Sequence, residues 1–162
     1  MRILIAGVGN VLRGDDGFGV HVARALANEH LPAGVRLAEV GISGLGLVHE
    51  ILDGCDACII VDASHRGGQP GTVYVLRPSA AESPNALQQE LDLHRTEPGR
   101  ALALAEAWGG HPKQVYVVAC EPQKTEELTD QLSPAIQAAV QPAIKMVLSV
   151  VKEIHKTHSS EV

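Results

Sequence analysis

The chain has 162 residues, of which 45% are hydrophobic and only 2% aromatic, and its formal net charge at pH 7 is −6. This length suits one α/β domain whose core is built from Ala, Val, Leu and Ile, and it is too short for two comfortable domains. The negative charge, without any block of basic residues, makes nucleic acid and anionic membranes poor candidate partners.

The N-terminus, the apolar segments and the cysteines predict a cytoplasmic protein. Met1 and Arg2 run directly into an apolar segment, which leaves no room for a signal peptide. The longest apolar stretch near the C-terminus, residues 143–151, contains Lys145 and is too short to span a bilayer. Three cysteines, an odd number, argue against a disulfide framework, so we expect a reducing compartment.

Alternating strand-like and helix-like segments predict a doubly wound α/β fold. In chain order we expect a strand at 2–10, a helix at 16–30, a strand at 33–41, a helix at 44–55, strands at 56–64 and 72–78, helices at 83–93 and 97–110, a strand at 114–122 and a helix at 133–155. The strand at 56–64 is the most apolar and should lie near the sheet centre. Too few residues separate it from the strand at 72–78 for a parallel crossover, so that strand should pair antiparallel at an edge. Residues 1–156 would form a single domain, and residues 157–162 should fray.

Acidic residues stand at the carboxyl ends of two predicted strands. Asp15 and Asp16 lie in "GVGNVLRGDDGFGV" (7–20), the turn into the first helix, and Asp62 ends the most apolar strand. Such a glycine-rich turn normally favours an anion, but two aspartates would repel one, so a cation is the better candidate. We expect Asp15 to cap the first helix and Asp16 to face inward as a ligand. The simpler alternative is that these carboxylates, including Asp62, only cap a helix or a loop.

An imidazole would complete such a cation site for nickel, zinc or a similar ion. His65, three residues beyond Asp62, and His94, which follows the fourth strand, are both candidates. Composition does not choose between them. Two aspartates and one histidine leave coordination positions open, as catalytic sites do, and would not hold a transition metal tightly on their own.

Other familiar motifs are missing or weak. The sequence has no GxSxG elbow and no HExxH motif, and Leu12 replaces the third glycine of a dinucleotide-binding turn. Cys55 and Cys58 have CxxC spacing, but Cys58 begins a buried strand, so we expect both thiols to pack as small hydrophobes.

The segments "ILIAGVGNVLRGDDGFGVHVARAL" (3–26) and "VDAS" (61–64), with a lone histidine after the fourth strand, together resemble the [NiFe]-hydrogenase maturation endopeptidases. The resemblance implies a three-layer α/β sandwich, with a twisted, mostly parallel five-stranded sheet between helices on both faces. It implies a monomeric protease that removes the C-terminal extension of a hydrogenase large-subunit precursor after nickel insertion. The substrate would supply the nickel, and no tightly held cofactor of the protease's own is expected.

The same resemblance assigns both metal binding and catalysis to Asp16, Asp62 and His94, and so favours His94 over His65. Family members often carry glutamate where this chain has Asp16, and the shorter side chain would shift the metal. The family's glycine-rich recognition loop corresponds here to Gly41, Ile42, Ser43 and Gly44. That loop is often "DGGT" in the family, so "GISG" does not identify which hydrogenase is served.

Two functions from other classes compete with this interpretation. A flavodoxin-like or receiver-like module would bind Mg²⁺ through the same acids without catalysis. A receiver also needs a lysine after its fifth strand, where Lys124 is a late match, and its fourth strand would not follow the third so closely. A hydrogenase-specific chaperone that lost proteolysis is the third class, and the presence of all three ligand types argues against it.

Overall fold

The computed structural model describes residues 1–77 and 97–160, which form a five-stranded sheet flanked by helices. In chain order the elements are β1 (Ile3–Val8), a 3₁₀ helix (Gly14–Gly17), α1 (Phe18–Leu26), β2 (Val35–Gly41), α2 (Gly44–Leu52), β3 (Ala57–Ala63), β4 (Val73–Leu76), α3 (Glu97–Ala107), β5 (Gln114–Cys120) and α4 (Pro134–Ser160). The helix expected at 83–93 lies outside the described residues.

The strand order is β2-β1-β3-β5-β4, which places β3 at the centre of the sheet. The strands β2, β1, β3 and β5 pair in parallel, whereas β4 pairs antiparallel to β5 at the edge. This arrangement confirms the predicted α/β class, the central position of the most apolar strand and the antiparallel edge strand. The antiparallel β4 also disagrees with the receiver alternative, whose fourth strand would be parallel.

The side chains of the central strands alternate between two hydrophobic layers. Ile3 and Ile5 of β1 pack with residues of α1 and α4, whereas Leu4 and Ala6 pack with residues of α2 and α3. All four are almost completely buried, because successive side chains of a strand point to opposite faces and both faces here are covered by helices. The three-layer arrangement of helix, sheet and helix is therefore confirmed.

The last helix, α4, ends later in the chain than predicted. It continues through Pro142 to Ser160, so residues 157–160, which we expected to fray, are helical. The hydroxyl of Thr157 donates a hydrogen bond to the carbonyl oxygen of Glu153 at 3.0 Å. This bond is a local contact within the last turns of the helix.

By length and composition α4 is apolar enough to cross a membrane. Its apolar residues, however, belong to the layer that packs against the sheet, with Ile136, Ala143, Val147 and Ile154 almost fully buried. The core helix of a soluble protein meets the same criterion, so the finding is weak evidence for a membrane span.

The strand order also fixes where a site can form. β1 lies between β2 and β3: the chain runs outward from β1 to β2 and then crosses back past β1 to β3, so the direction of the connections reverses beside β1. In doubly wound folds ligands bind beyond the carboxyl ends of the strands at such a switch point. A ligand site is therefore expected among the residues that follow β1, β2 and β3.

Candidate active site

A cavity of about 230 Å³ opens at the carboxyl edge of the sheet, at this switch point. Its lining comes from the ends of β1, β2 and β3 and from the first turns of two helices: Val8, Gly9, Asp16, Gly41, Ile42, Ser43, Gly44, Leu47, Asp62, Ala63 and Pro98. The two carboxylates singled out as ligands and all four residues of the expected recognition loop thus meet in one cavity. Sequence reasoning missed the apolar walls that Leu47 and Pro98 provide.

The position of Asp16 is set by a tight turn after β1. The N–H of Asn10 donates a hydrogen bond to the Asp16 carboxylate at 2.9 Å, and the Asn10 side-chain oxygen accepts one from the N–H of Leu12, also at 2.9 Å. Gly9 has a φ of +120°, and a Cβ there would overlap the carbonyl oxygen of Asp16. A side chain at position 9 would therefore displace the candidate ligand.

Asp62 reaches the same cavity from the carboxyl end of β3. The pKa of its carboxyl is raised to about 7, mainly by burial and also by the negative charge of Asp16, against the lowering effect of the hydrogen bond from the N–H of Ala63 at 2.8 Å. Desolvation and a like charge both disfavour the ionised form. A cation between the two carboxylates would remove both penalties, so this pair is suited to binding one.

Asp15 does not cap α1, so that prediction is wrong. α1 begins after Gly17 without a side-chain cap, because the 3₁₀ helix intervenes. The buried Asp15 carboxylate instead accepts hydrogen bonds from the N–H groups of Gln123, Lys124 and Ser133 at 3.0, 2.7 and 2.7 Å, and from the Ser133 hydroxyl at 2.8 Å. Burial alone would raise the pKa of Asp15, but these bonds hold it below its usual value. Because Ser133 directly precedes α4, Asp15 stabilises the start of that helix instead.

A second buried carboxylate, Glu121, was missed. It follows β5 and accepts hydrogen bonds from the N–H groups of Arg66 and Gly68 at 2.8 and 3.2 Å, and from the Tyr74 hydroxyl at 3.3 Å. Burial acts to raise the pKa of Glu121, and these hydrogen bonds lower it below its usual value. Glu121 therefore fixes the loop that follows Asp62. The signal was available, because an acid directly after an apolar strand is the pattern that identified Asp62.

The expected histidine ligand is not among the described residues that line the cavity. Nδ1 of the exposed His65 lies 3.8 Å from Oε1 of Glu121, and His65 is not part of the cavity lining. His94 lies outside the described residues. Within the described part of the chain, no His, Cys, Asp or Glu joins Asp16 and Asp62 to make a group of three. The choice between the two histidines stays a prediction.

The three cysteines are free and buried. Burial raises the pKa of the Cys55 and Cys58 thiols, and it raises that of Cys120 to about 11. At neutral pH all three are therefore protonated. This agrees with the prediction that Cys55 and Cys58 pack as small hydrophobes rather than act as a redox pair.

Comparison with known proteins places the chain among hydrogenase maturation proteins. The model of the family described as "Hydrogenase maturation protease" matches residues 20–150. The hydrogenase expression/formation protein HupD of Rhodobacter capsulatus is 35% identical over 127 residues, which cover 78% of this chain and 60% of HupD. The chain thus spans about three fifths of that relative. The hydrogenase 2 maturation protease of Escherichia coli K12 is 31% identical over 128 residues, with 78% of this chain and 76% of the relative covered.

Solved structures agree with the sequence comparison. The hydrogenase maturating endopeptidase HybD from E. coli superposes with a TM-score of 0.78 at 30% identity, covering 94% of this chain and 93% of HybD. A hydrogenase 2 maturation peptidase from a Thaumarchaeota archaeon gives a TM-score of 0.71 at 28% identity, covering 94% and 99% of the two chains. The fold is therefore shared over almost the whole of each molecule.

Proposed function

This chain belongs to the hydrogenase maturation protease family, and on that premise we propose that it is an endopeptidase that removes the C-terminal extension of a [NiFe]-hydrogenase large-subunit precursor once nickel has been inserted. Under this proposal the precursor brings the nickel, so the protease needs open ligands and no tightly held cofactor of its own. We place the reaction in the cytoplasm, with the protease acting as a monomer.

The observation that carries the proposal is the meeting of Asp16 and Asp62 in one cavity. They come from turns after different strands, and the raised pKa of Asp62 reflects burial and the charge of Asp16. Two carboxylates whose ionised forms disfavour one another are a suitable site for a divalent cation. An imidazole from His94 would give the mixed oxygen and nitrogen ligand set that suits nickel.

The remaining lining of the cavity supports a peptide substrate. The expected recognition loop, 41–44, forms one wall, and Ile42 is 70% exposed there. Leu47 forms part of an apolar wall from α2. With the precursor's nickel held by Asp16 and Asp62, a nearby peptide bond would be exposed either to carbonyl polarisation or to an activated water, and either would promote hydrolysis.

The same arrangement would make cleavage depend on nickel. A precursor without nickel offers nothing for the two carboxylates to bind, and their mutual repulsion would persist. We therefore expect immature precursor to be released uncut. The incomplete ligand set on the protease is what makes this discrimination possible, because a complete set would hold a metal of its own.

The test is to incubate the protein with nickel-loaded and with nickel-free large-subunit precursor and to weigh the products by mass spectrometry. We expect a short C-terminal peptide to be lost only from the nickel-loaded sample. The matched control is Asp62→Ala, which should stay folded and leave both samples intact. Cleavage of both precursors by the unaltered protein would contradict the nickel dependence, and cleavage of neither would contradict the protease assignment.

Crystals soaked with Cd²⁺ should show one ion bound by Asp16, Asp62 and His94.

A further inference from the structure

The turn between β1 and the 3₁₀ helix is closed by the side chain of its first residue, Asn10. The side-chain oxygen of Asn10 accepts a hydrogen bond from the N–H of Leu12 at 2.9 Å, and its carbonyl oxygen accepts one from the N–H of Arg13 at 3.1 Å. Asparagine suits the first position of a turn because its short side chain reaches the N–H two residues further on. Together these two bonds fix the backbone of residues 10–13.

This turn packs directly against the 3₁₀ helix that carries Asp16. The N–H of Asn10 donates to Oδ2 of Asp16 at 2.9 Å. A Cβ at Gly17 would lie 2.8 Å from Cα of Val11 and 3.3 Å from the carbonyl oxygen of Asn10, and a Cβ at Gly9 would overlap the carbonyl oxygen of Asp16. The contacts are backbone against backbone, so a shift of the turn would also move Asp16.

The bond from Asn10 engages one of the two oxygens of the Asp16 carboxylate. Within the described part of the chain, no group bonds to the other oxygen, Oδ1, and Asp16 lines the cavity. A hydrogen bond to a carboxylate is charge-assisted and restricts its rotation. Groups that orient a metal ligand in this way typically change metal affinity by about 10–100-fold.

The same turn is bonded to the expected recognition loop, 41–44. The register of β1 against β2 shifts between Gly7 and Val8, so that Val8 pairs with Gly41 instead of Val40. The N–H of Gly9 then donates to the carbonyl oxygen of Gly41 at 2.9 Å. Irregularities of this kind often lie next to active sites, where they redirect the end of a strand. The peptide unit between Gly9 and Asn10 is thus held by the loop on one side and by the turn on the other.

We propose that Asn10 is a positioning residue for Asp16. Its side chain holds the turn in the conformation in which the Asn10 N–H binds Oδ2 of Asp16, and the other oxygen is thereby directed to a divalent cation in the cavity. Asn10 is not part of the cavity lining, so it acts through Asp16. This inference rests on the proposed function, under which Asp16 is a ligand of the precursor's nickel.

The test is calorimetric titration of the unaltered protein and its variants with Cd²⁺ alone. Asn10→Ala removes the side-chain oxygen and should raise the Kd for Cd²⁺ about tenfold, because the Asp16 carboxylate would lose its fixed orientation. Asn10→Ser keeps an oxygen that can accept from the N–H of Leu12, so it should restore most of the affinity.

Thr72→Ala is the matched control for the loss of a local side-chain bond. The Thr72 hydroxyl donates to the carbonyl oxygen of Gln69 at 2.7 Å in an exposed loop, and Thr72 is not part of the cavity lining. We expect Asn10→Ala and Thr72→Ala to have similar urea midpoints, whereas only Asn10→Ala should bind Cd²⁺ more weakly. A merely structural role for Asn10 would lower its urea midpoint without changing the Kd of the folded protein.

Cleavage of nickel-loaded precursor provides the second measurement. We expect kcat/KM to fall about tenfold for Asn10→Ala, in line with its loss of Cd²⁺ affinity, and to change less than about threefold for Asn10→Ser. If the unaltered protein and the variants bind Cd²⁺ as expected but no precursor is cleaved, the proposed function fails and the positioning role of Asn10 stands.

Four outcomes would overturn the inference. An unchanged Kd for Asn10→Ala would show that Asp16 does not depend on the turn, and an equal loss for Asn10→Ser would show that the side-chain oxygen is not the cause. An equal loss for Thr72→Ala would assign the effect to general destabilisation. Absence of Cd²⁺ binding by the unaltered protein would remove Asp16 as a ligand. Should Asn10→Ala fold poorly, Asn10→Leu removes the same oxygen and keeps the volume of the side chain.

Discussion

Asp15 and Ser133, which are 118 residues apart in sequence, meet in the structure through two hydrogen bonds. One carboxylate oxygen accepts from the Ser133 N–H at 2.7 Å and the other from its hydroxyl at 2.8 Å. A single buried acid thus ties the turn before α1 to the start of α4. Its neighbour Asp16 lines the cavity instead. The two adjacent carboxylates therefore have different surroundings, and we expect their replacement to have different effects.

Asp15→Asn should lower the free energy of unfolding by about 3 kcal/mol, because the new amide group would face N–H donors that have lost their acceptor. Asp16→Asn should lower it by less than about 1 kcal/mol, because within the described part of the chain that carboxylate accepts one hydrogen bond, from the N–H of Asn10. Urea unfolding at pH 7 measures both values. Equal losses for the two variants would contradict this division.

Asp62→Asn should reduce precursor cleavage by at least about a hundredfold, because a neutral amide is a poor ligand for a divalent cation and cannot replace the carboxylate charge. Its stability should be equal to or above that of the unaltered protein, since a buried amide costs less to desolvate than a carboxylate. Mass spectrometry of the products and calorimetric titration with Cd²⁺ check both consequences. A variant that still cleaves at the normal rate would exclude Asp62 from the reaction.

His94→Ala and His65→Ala should separate the two candidate imidazoles. We expect His94→Ala to lose cleavage and Cd²⁺ binding, as the family resemblance implies. His65→Ala should keep both, because His65 is exposed and lies beside Glu121 rather than in the cavity. The same cleavage assay and titration apply. The reverse result would assign the third ligand to His65.

Stability should fall steeply in acid. Asp15 and Glu121 have lowered pKa values in the folded protein, so the unfolded chain takes up protons more readily than the folded one. Their stabilisation is complete above the unfolded pKa of about 4 and is lost as the pH falls through the lower folded values. Urea unfolding between pH 3 and pH 7 measures this loss.

Glu121→Gln is the control for that pH dependence. The variant should be about 2 kcal/mol less stable at pH 7, because it leaves N–H donors of the 66–68 loop without a charged acceptor. It should also approach the stability of the unaltered protein in acid, where Glu121 itself is protonated. Parallel stability curves for the two proteins would show that Glu121 is not one of the titrating groups.

Gly9→Ala should destabilise the protein by about 3 kcal/mol and impair cleavage. The added Cβ would overlap the carbonyl oxygen of Asp16, and an alanine at this position would have to keep a strained, positive φ. Gly67→Ala is the matched control. Gly67 also has a positive φ, +80°, but a Cβ there meets no atom within 4 Å, so we expect a loss of only about 1 kcal/mol. Thermal unfolding and the cleavage assay report the two effects separately.

Local patterns in the sequence were sufficient for the fold class and for two of the residues that line the cavity. Runs of apolar residues of strand length predicted the parallel core, and the short connection from β3 to β4 predicted the antiparallel edge. Asp16 and Asp62 could be predicted to share a site because carboxyl ends of parallel neighbouring strands lie at one edge of the sheet. These inferences need only periodicity and segment length, which are properties of the chain before it folds.

The roles of Asp15 and Glu121 were decided only by the tertiary structure. In sequence Asp15 and Asp16 are adjacent and both follow the first strand, so local rules favoured a helix cap for one of them. In the structure the side chains of Asp15 and Asp16 leave the 3₁₀ helix toward different surroundings. The N–H groups that bind the Asp15 carboxylate come from a loop more than a hundred residues away. Which carboxylate meets those donors depends on strand register and loop packing. The sequence by itself therefore determined where acids would gather, and only the folded chain determined which acid supports the structure and which one faces the cavity.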